Sequence, residues 1–438
     1  MKKTLLLACF LNISSIGSAL CQDISMLGGG LTSNERPAVA VVIPAPNVTA
    51  SERFDTHLEG HNLFHTPLNQ VFPDKPNLVG PRFNASTCGE CHFGNGKGAI
   101  KFSPRGFGST LLIKVNLKGT NLDGSPKTIP GTPEQIQDHQ VSGKSPYNIK
   151  LRWTFKKGTY PDGKKYELRR PYLTFVIPGV SKDKIISSLR MSPSIIGMGL
   201  LDAVPTSTLI DLSDPFDLNG DGITGRPNLV RDIASNTKKL GRFGFKAAHP
   251  DLLQQSAAAL FHDMGVTNSL FNDTKLEAEM SDADLDKIML FQKVGGVPKA
   301  RDQEDAEVIA GKALFQQVNC SGCHLMSLKT GVSSDPELSN QEFHPFTDLL
   351  LHDMGPGLAD KRAEFAAKGS EWRTTPLWGI GIAKDLADHK PGFLHDGRAR
   401  TIEEAVLWHG GEAKNSLTAY TKLSESDRIK LLKFLSSL

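Results

Sequence analysis

Two five-residue elements constrain this chain more than anything else in it: Cys88-Gly89-Glu90-Cys91-His92 and Cys320-Ser321-Gly322-Cys323-His324. Cys-x-x-Cys-His is the attachment pattern of a c-type haem. Two thiols at this spacing can form thioethers to the two vinyl groups of one porphyrin, and the adjoining imidazole then lies under the iron. Of six cysteines, Cys9 and Cys21 fall in the N-terminal stretch and the other four all belong to these two elements, so a structural disulfide is not expected. Paired Cys-x-x-Cys also suits zinc. The histidine directly after each pair, together with the export features below, favours two covalently bound haem c groups.

At 438 residues the chain is long enough for two domains. A formal charge of +3 is too small to imply a polyanionic partner, and no nucleic-acid binding is expected. Lys2 and Lys3, the apolar run Leu5 to Leu11 and small residues around Gly17, Ser18 and Ala19 read as a secretory signal over 1–21. Cys21 opens a lipoprotein alternative, but Leu20 stands where a small residue is wanted, so periplasmic export without an anchor is the expectation. No later segment is long and apolar enough for a transmembrane helix.

The expected organisation is a mainly α fold of two cytochrome c-like modules. Residues 22–50, rich in Gly, Pro and Ala, read as a linker or arm; 51–275 form the N-terminal haem domain; 276–438 form the C-terminal cytochrome c domain. Strand-like runs and turn residues across about 100–180 predict a β-hairpin insertion in the first module, covering its haem or forming a partner surface. A helix from Ser51 carries His57, His61 and His65 on one stripe, either a metal face and source of a haem ligand or partly buried histidines. Asp217-x-Asn219-x-Asp221-Gly222 resembles the first half of a calcium loop, but position twelve is Asn228 where an EF-hand has glutamate, so calcium competes with an Asx-rich turn. Before the second haem element, Gly311 permits close helix packing and Phe315 is placed against a porphyrin. Ser424 to Leu438 reads as a closing helix.

Elements recur downstream of the two Cys-x-x-Cys-His units. Arg190-x-x-Pro193 leads to Gly197-Met198-Gly199, as Arg373-x-x-Pro376 leads to Gly379-Ile380-Gly381; Gln254-Gln255 matches Glu403-Glu404. The run Phe393-Leu394-His395-Asp396-Gly397-Arg398, followed by Thr401-Ile402-Glu403-Glu404-Ala405, resembles a motif of the bacterial dihaem cytochrome c peroxidase superfamily. Gly80-Pro81-Arg82-Phe83-Asn84, Asn219 to Asn228, Leu350 to Gly355 and Trp408 to Ala413 are similar to a narrower branch of it, the di-haem oxidoreductases.

That resemblance implies an electron-transfer haem in the C-terminal half and a peroxide-reacting haem in the N-terminal half. It places the sixth ligand of the C-terminal haem fourteen residues after His395, at His409, where relatives usually have methionine. Bis-histidine ligation by His324 and His409 would lower the potential. His409 as a core histidine and Met354 as a rival ligand are the alternatives. In the first module the matching positions are Ala259 and Leu260, which cannot bind iron, so its distal side is expected to be open. Asp263 takes the place of the family's distal glutamate, with His262 as a second acid–base group, against the alternative of a capped helix end. A second His-Asp-Met-Gly at 352–355 is out of register with 262–265. Arg190, Arg373, Arg398 and Lys246 are candidate propionate partners or ordinary cations, and Trp378 or Trp408 candidate residues between the haems. The implied activity is peroxide reduction with electrons from a small donor protein or quinol-linked cytochrome; the alternative is a non-catalytic electron-transfer cytochrome. A thiol reaction has no support, since no free cysteine remains in the mature chain.

Overall fold

The computed structural model describes residues 24–99, 110–143, 146–274, 276–386 and 392–438. The signal region 1–21 and the start of the insertion, 100–109, lie outside these. The chain is 31% helix and 20% strand, so the expectation of a mainly α fold is wrong. Among the described residues five helices run 12–15 residues and the rest are shorter, and long irregular segments joined by two-residue bridges do much of the wrapping. The described residues between 318 and 401 include no helix longer than one turn. Such bridges depend on tertiary contacts and leave no periodicity in the sequence.

Each module is built on one close helix crossing. In the first, α1 (Ser51–His65) crosses a later helix, Asp282–Val294, and in the second Ala306–Gln317 crosses Glu425–Ser437. The contact point is a glycine each time. A Cβ on Gly60 would collide with the Lys287 carbonyl, and one on Gly311 with that of Lys430. One turn on, Phe64 and Phe315 occupy matching places. Phe64 packs on Phe291 at 5.2 Å and Phe315 on Phe434 at 5.5 Å between ring centres. The internal repeat therefore extends upstream of the haem elements, as Gly-x-x-x-Phe. The three histidines of α1 are absorbed by this packing. His57 is fully buried with Nε2 against the Val42 carbonyl, and His61 and His65 lie against Phe291.

The insertion has two parts. Strand β1 (Leu111–Thr120) pairs antiparallel with β2 (Gln135–Ile136) on one edge. Two further strands, β3 (Asn148–Thr159) and β4 (Lys165–Val176), form a separate ribbon of twelve residue pairs, and β5 (Ile185–Met191) closes the other edge of β1. The ribbon twists until its buried face changes sides, as two-stranded ribbons readily do. At its base Ile149 and Phe175 join the insertion's own core, whereas near its tip Tyr160 and Leu168 join the largest core, beside Tyr420 of the second module. There Tyr160 donates to Glu403 (2.8 Å), Arg428 pairs with Asp162 (2.5 Å) and Lys164 with Glu425 (2.9 Å). The ribbon thus straps the first module to the second.

Residues 24–50, read as a linker or arm, pack against the body of the protein. Ile24, Leu27, Leu31 and Val41 are almost fully buried in the largest core, and Thr32 pairs in parallel with Val297. That core holds residues of both modules. At their junction the repeated glycines meet reciprocally: Gly197 lies under the Trp378 ring and Gly379 under Ile196, with no room for a Cβ at either.

Candidate haem clefts

Two helices complete the clefts: α2 (Leu252–Met264), capped by Asp251, and the equivalent helix Ile402–Leu407, capped by Thr401. Both follow the same tight loop, closed by a bridge between Phe243 and His249 in one module and Phe393 and Ala399 in the other. Each cleft contains one Cys-x-x-Cys-His element and is walled partly by the other module. Thr375, Pro376 and Trp378 line the first; Lys97, Ile223 and Phe245 line the second.

The donor sets fit haem c. His92 Nδ1 donates to the Pro193 carbonyl (2.8 Å) and His324 Nδ1 to that of Phe346 (2.9 Å), leaving Nε2 of each for a metal. Burial lowers both imidazoles to about 4, opposed in part by those carbonyls, so they are neutral and able to coordinate. Burial also raises the Cys88 and Cys320 thiols to about 12, and no group of three His, Cys, Asp or Glu among the described residues is arranged for a metal ion. Phe64 and Phe315 stand by the two imidazoles, at 6.0 and 6.5 Å between centres.

In the second cleft the rings of His324 and His409 face each other at 6.5 Å between centres. With a metal–nitrogen distance of about 2.0 Å, that separation leaves room for His324 and His409 to hold one metal ion between them. His409 Nδ1 is occupied by the Ala405 carbonyl (2.8 Å), which again leaves Nε2 inward. Met354 lines the same cleft.

The first cleft differs where its helix passes. Ala259 and Leu260 line it and offer no donor atom, and one turn later Asp263 does so as well. Burial is the main reason the Asp263 carboxyl is raised to about 7; Glu134 adds to this and Lys114 opposes it. Gln135, from β2, donates its amide to that carboxylate, and Gln135 and Lys114 both line the cleft. The insertion therefore supplies part of the wall facing Asp263. His262 does not line the cleft; its ring packs on Phe261 and Phe271. The helix is also capped by Gly265 in the left-handed region (φ 70°), so the cap and the inward carboxylate coexist.

The candidate cations separate clearly. Arg190 lines the first cleft, pairs with Asp360 (2.9 Å) and Glu364 (2.7 Å), and keeps Nε and Nη1 buried with no hydrogen-bond partner among the described residues, as a group meant to hold a further anion would. Arg373 lines both clefts and donates to the carbonyls of Gly244 and Thr374. Lys97, which sequence reasoning missed, also lines both, and burial lowers it to about 8. Arg398 lines neither cleft: Asp396 holds it bidentately and Gly357 accepts its Nη1, so it fixes the His395 loop. Lys246 is sealed between the Lys368 and Glu371 carbonyls and the face of Trp372. Trp378 walls the first cleft, and Trp408 lies under Arg398 at 4.7 Å.

The 217–222 loop is an exposed Asx turn. Asp217 accepts from Gly222 N (3.0 Å), Asn219 from Asp221 N (2.9 Å) and Asp221 from Ile223 N (2.8 Å). The second His-Asp-Met-Gly shares no local structure with the first. His352 lies in a short strand between Asp348 (2.8 Å) and Glu412 (2.9 Å), 3.7 Å from Cys323 Sγ.

The sequence matches the family described as "Di-haem oxidoreductase, putative peroxidase" over residues 127–279 and again over 272–438. Among solved structures, a match is the diheme peroxidase BthA from Burkholderia thailandensis, 14% identical, covering 95% of this chain and 92% of that one with a TM-score of 0.37. No curated relative matches. With two haem clefts and a family match over most of its length, the chain belongs to the di-haem oxidoreductases.

Proposed function

We propose that this is an exported, periplasmic c-type oxidoreductase that reduces hydrogen peroxide in the first cleft with electrons relayed through the second. The observation that carries the reading is the difference between two otherwise matching clefts. Where His409 faces His324, the first cleft has Ala259, Leu260 and then a buried carboxyl. A haem tethered through the Cys88 and Cys91 thiols, with His92 toward its iron, would supply the point of peroxide binding and the electrons for cleavage. Two electrons and two protons convert one peroxide to two waters.

Asp263 is suited to the proton work, being near half ionised at neutral pH. It takes the proton from one peroxide oxygen and returns it to the other, which leaves as water. Gln135 holds the carboxylate in place. Arg190 and Arg373 offer cationic groups to propionates. The donor is a small redox protein or quinol-linked cytochrome. Calcium at the 217–221 loop would require Asp217, Asn219 and Asp221 to exchange their backbone contacts for the cation.

The test is steady-state peroxide turnover with a reduced small cytochrome or dye, alongside electron paramagnetic resonance of the oxidised protein. A high-spin ferric signal that responds to a small anion, plus turnover, is the expected result. Two low-spin haems, no anion response and no turnover after pre-reduction of the second haem would establish an electron carrier instead. One feature favours that second reading: His249 also lines the first cleft and has an imidazole to offer.

A further inference from the structure

The ribbon β3–β4 concentrates charge that the overall composition conceals. Residues 148–176 hold eight Lys or Arg and two Asp or Glu, a net +6 in a chain that sums to +3, so the remainder is at −3. Side chains alternate across a strand, and the register places Arg152 opposite Tyr172 and Thr154 opposite Arg170, with Lys150 on the same face and Lys156 exposed where that face turns inward beside the buried Leu168. All four cations are exposed, and none is in an ion pair with a described residue. Tyr172, in their midst, is 55% exposed. From Lys150 to Lys156 the patch runs ~20 Å along the strand, the scale of a small transient protein interface.

The reverse face shows what lies behind the patch. Arg169 stacks on Trp153 (4.1 Å) and donates to the carbonyls of Gly397 (3.1 Å) and Arg398 (3.0 Å). Those residues follow His395, which lines the second cleft. The patch is thus one ribbon thickness from the wall of the cleft assigned to electron relay.

We propose that this face of the ribbon, Lys150, Arg152, Lys156 and Arg170 around Tyr172, is the docking surface for the electron donor, and that the donor is a small soluble redox protein with an acidic face around its redox centre. The inference rests on the relay role of the second cleft. Like charges left unpaired at a surface steer an oppositely charged partner and repel others. Lysine and arginine set the encounter rate, and the exposed tyrosine provides the apolar contact.

The test uses the holoprotein with all four cations reversed (K150E, R152E, K156E, R170E) and, separately, Tyr172→Ala. Stopped-flow absorbance follows reduction of the second haem by reduced acidic flavodoxin and by the neutral photogenerated 5-deazaflavin radical. With flavodoxin at low ionic strength the fourfold reversal is expected to slow reduction about 10- to 1000-fold. The difference should vanish near 1 M salt, where the Debye length is about 3 Å. The 5-deazaflavin rate stays at the wild-type value and reports an intact fold. Equal flavodoxin rates in the two proteins at low salt overturn the docking surface alone. So does selective loss of binding to phosphatidylglycerol vesicles or single-stranded RNA with donor rates unchanged. If neither reductant reduces the second haem of the wild type, the relay reading itself fails and takes the docking surface with it.

Discussion

The Asp263 carboxyl gives the most discriminating test, because its proposed role and its effect on stability have opposite signs. An aspartate in an unfolded chain titrates near 3.9, whereas burial raises Asp263 to about 7. Between those values the unfolded state has released its proton and the folded state has kept it. Its contribution to stability is therefore complete below about pH 3.9 and is lost progressively until pH rises through 7. A difference of about 3 units at about 1.4 kcal/mol each amounts to about 4 kcal/mol. The Asp263→Asn variant keeps an acceptor for Gln135 but cannot ionise. It should match the wild type in stability at pH 4 and exceed it by about 4 kcal/mol at pH 8, while peroxide turnover falls about 10²- to 10⁴-fold. Haem in the cleft removes still more water from the carboxyl, so the direction holds for the holoprotein. Guanidinium unfolding of the ferric protein, followed by far-ultraviolet dichroism at pH 4, 6 and 8, reads the stability arm. Turnover across the same range should fall below pH 7 in the wild type as the base is protonated. A stability difference that is flat with pH, or near-normal turnover in the variant, refutes the reasoning.

Three further outcomes follow from the geometry. His409→Met should keep the second haem six-coordinate but raise its potential, since thioether ligation favours the ferrous state; an unchanged potentiometric midpoint would show that His409 is not the ligand. Gly60→Ala and Gly311→Ala should each destabilise the protein by about 1–3 kcal/mol, because the obstacle is a backbone carbonyl on the partner helix, and chemical denaturation measures this directly. Arg362→Met should cost about 3–5 kcal/mol, as the fully buried guanidinium pairs with Glu134 and Glu364; a loss under 1 kcal/mol would mean that those carboxylates find other partners.

How much of this was legible varied with the range of the interaction. The haem elements are local patterns and were plain, and His409 was named from the family's fixed spacing after His395. Matching Gln254-Gln255 to Glu403-Glu404 pointed to Ala259 and Leu260, and Asp263 was named from the family's carboxylate-Met-Gly pattern. Gln135, Lys114 and Lys97 were not, because they reach the clefts only through long-range strand pairing and loop packing. The Gly-x-x-x-Phe repeat at 60–64 and 311–315 was present in the sequence, but only its second copy was read as a helix crossing, and the histidines of the first drew attention away from Gly60. The fold class was misjudged because the cleft walls are irregular chain with no period to detect. Arg398 looked like a propionate partner on type alone; only its bidentate contact with Asp396 shows that it is already occupied.

The two modules share a plan and cannot be understood singly. Gly197 and Gly379 meet the other half reciprocally, as repeated surfaces related by an approximate twofold do. Each cleft borrows a wall across that contact, and Arg373 and Lys97 belong to both. The insertion breaks the symmetry at two points: β2 brings Gln135 to Asp263, and the ribbon tip locks onto the helices of the second module. It was expected to cover the first haem or to form a partner surface. Its base shapes the cleft assigned to peroxide, while its tip braces the one assigned to electrons. An isolated second module would lose Lys97, Ile223 and Phe245 from its cleft along with the ribbon, so His324 and His409 depend on the first half for the apolar enclosure that keeps them neutral.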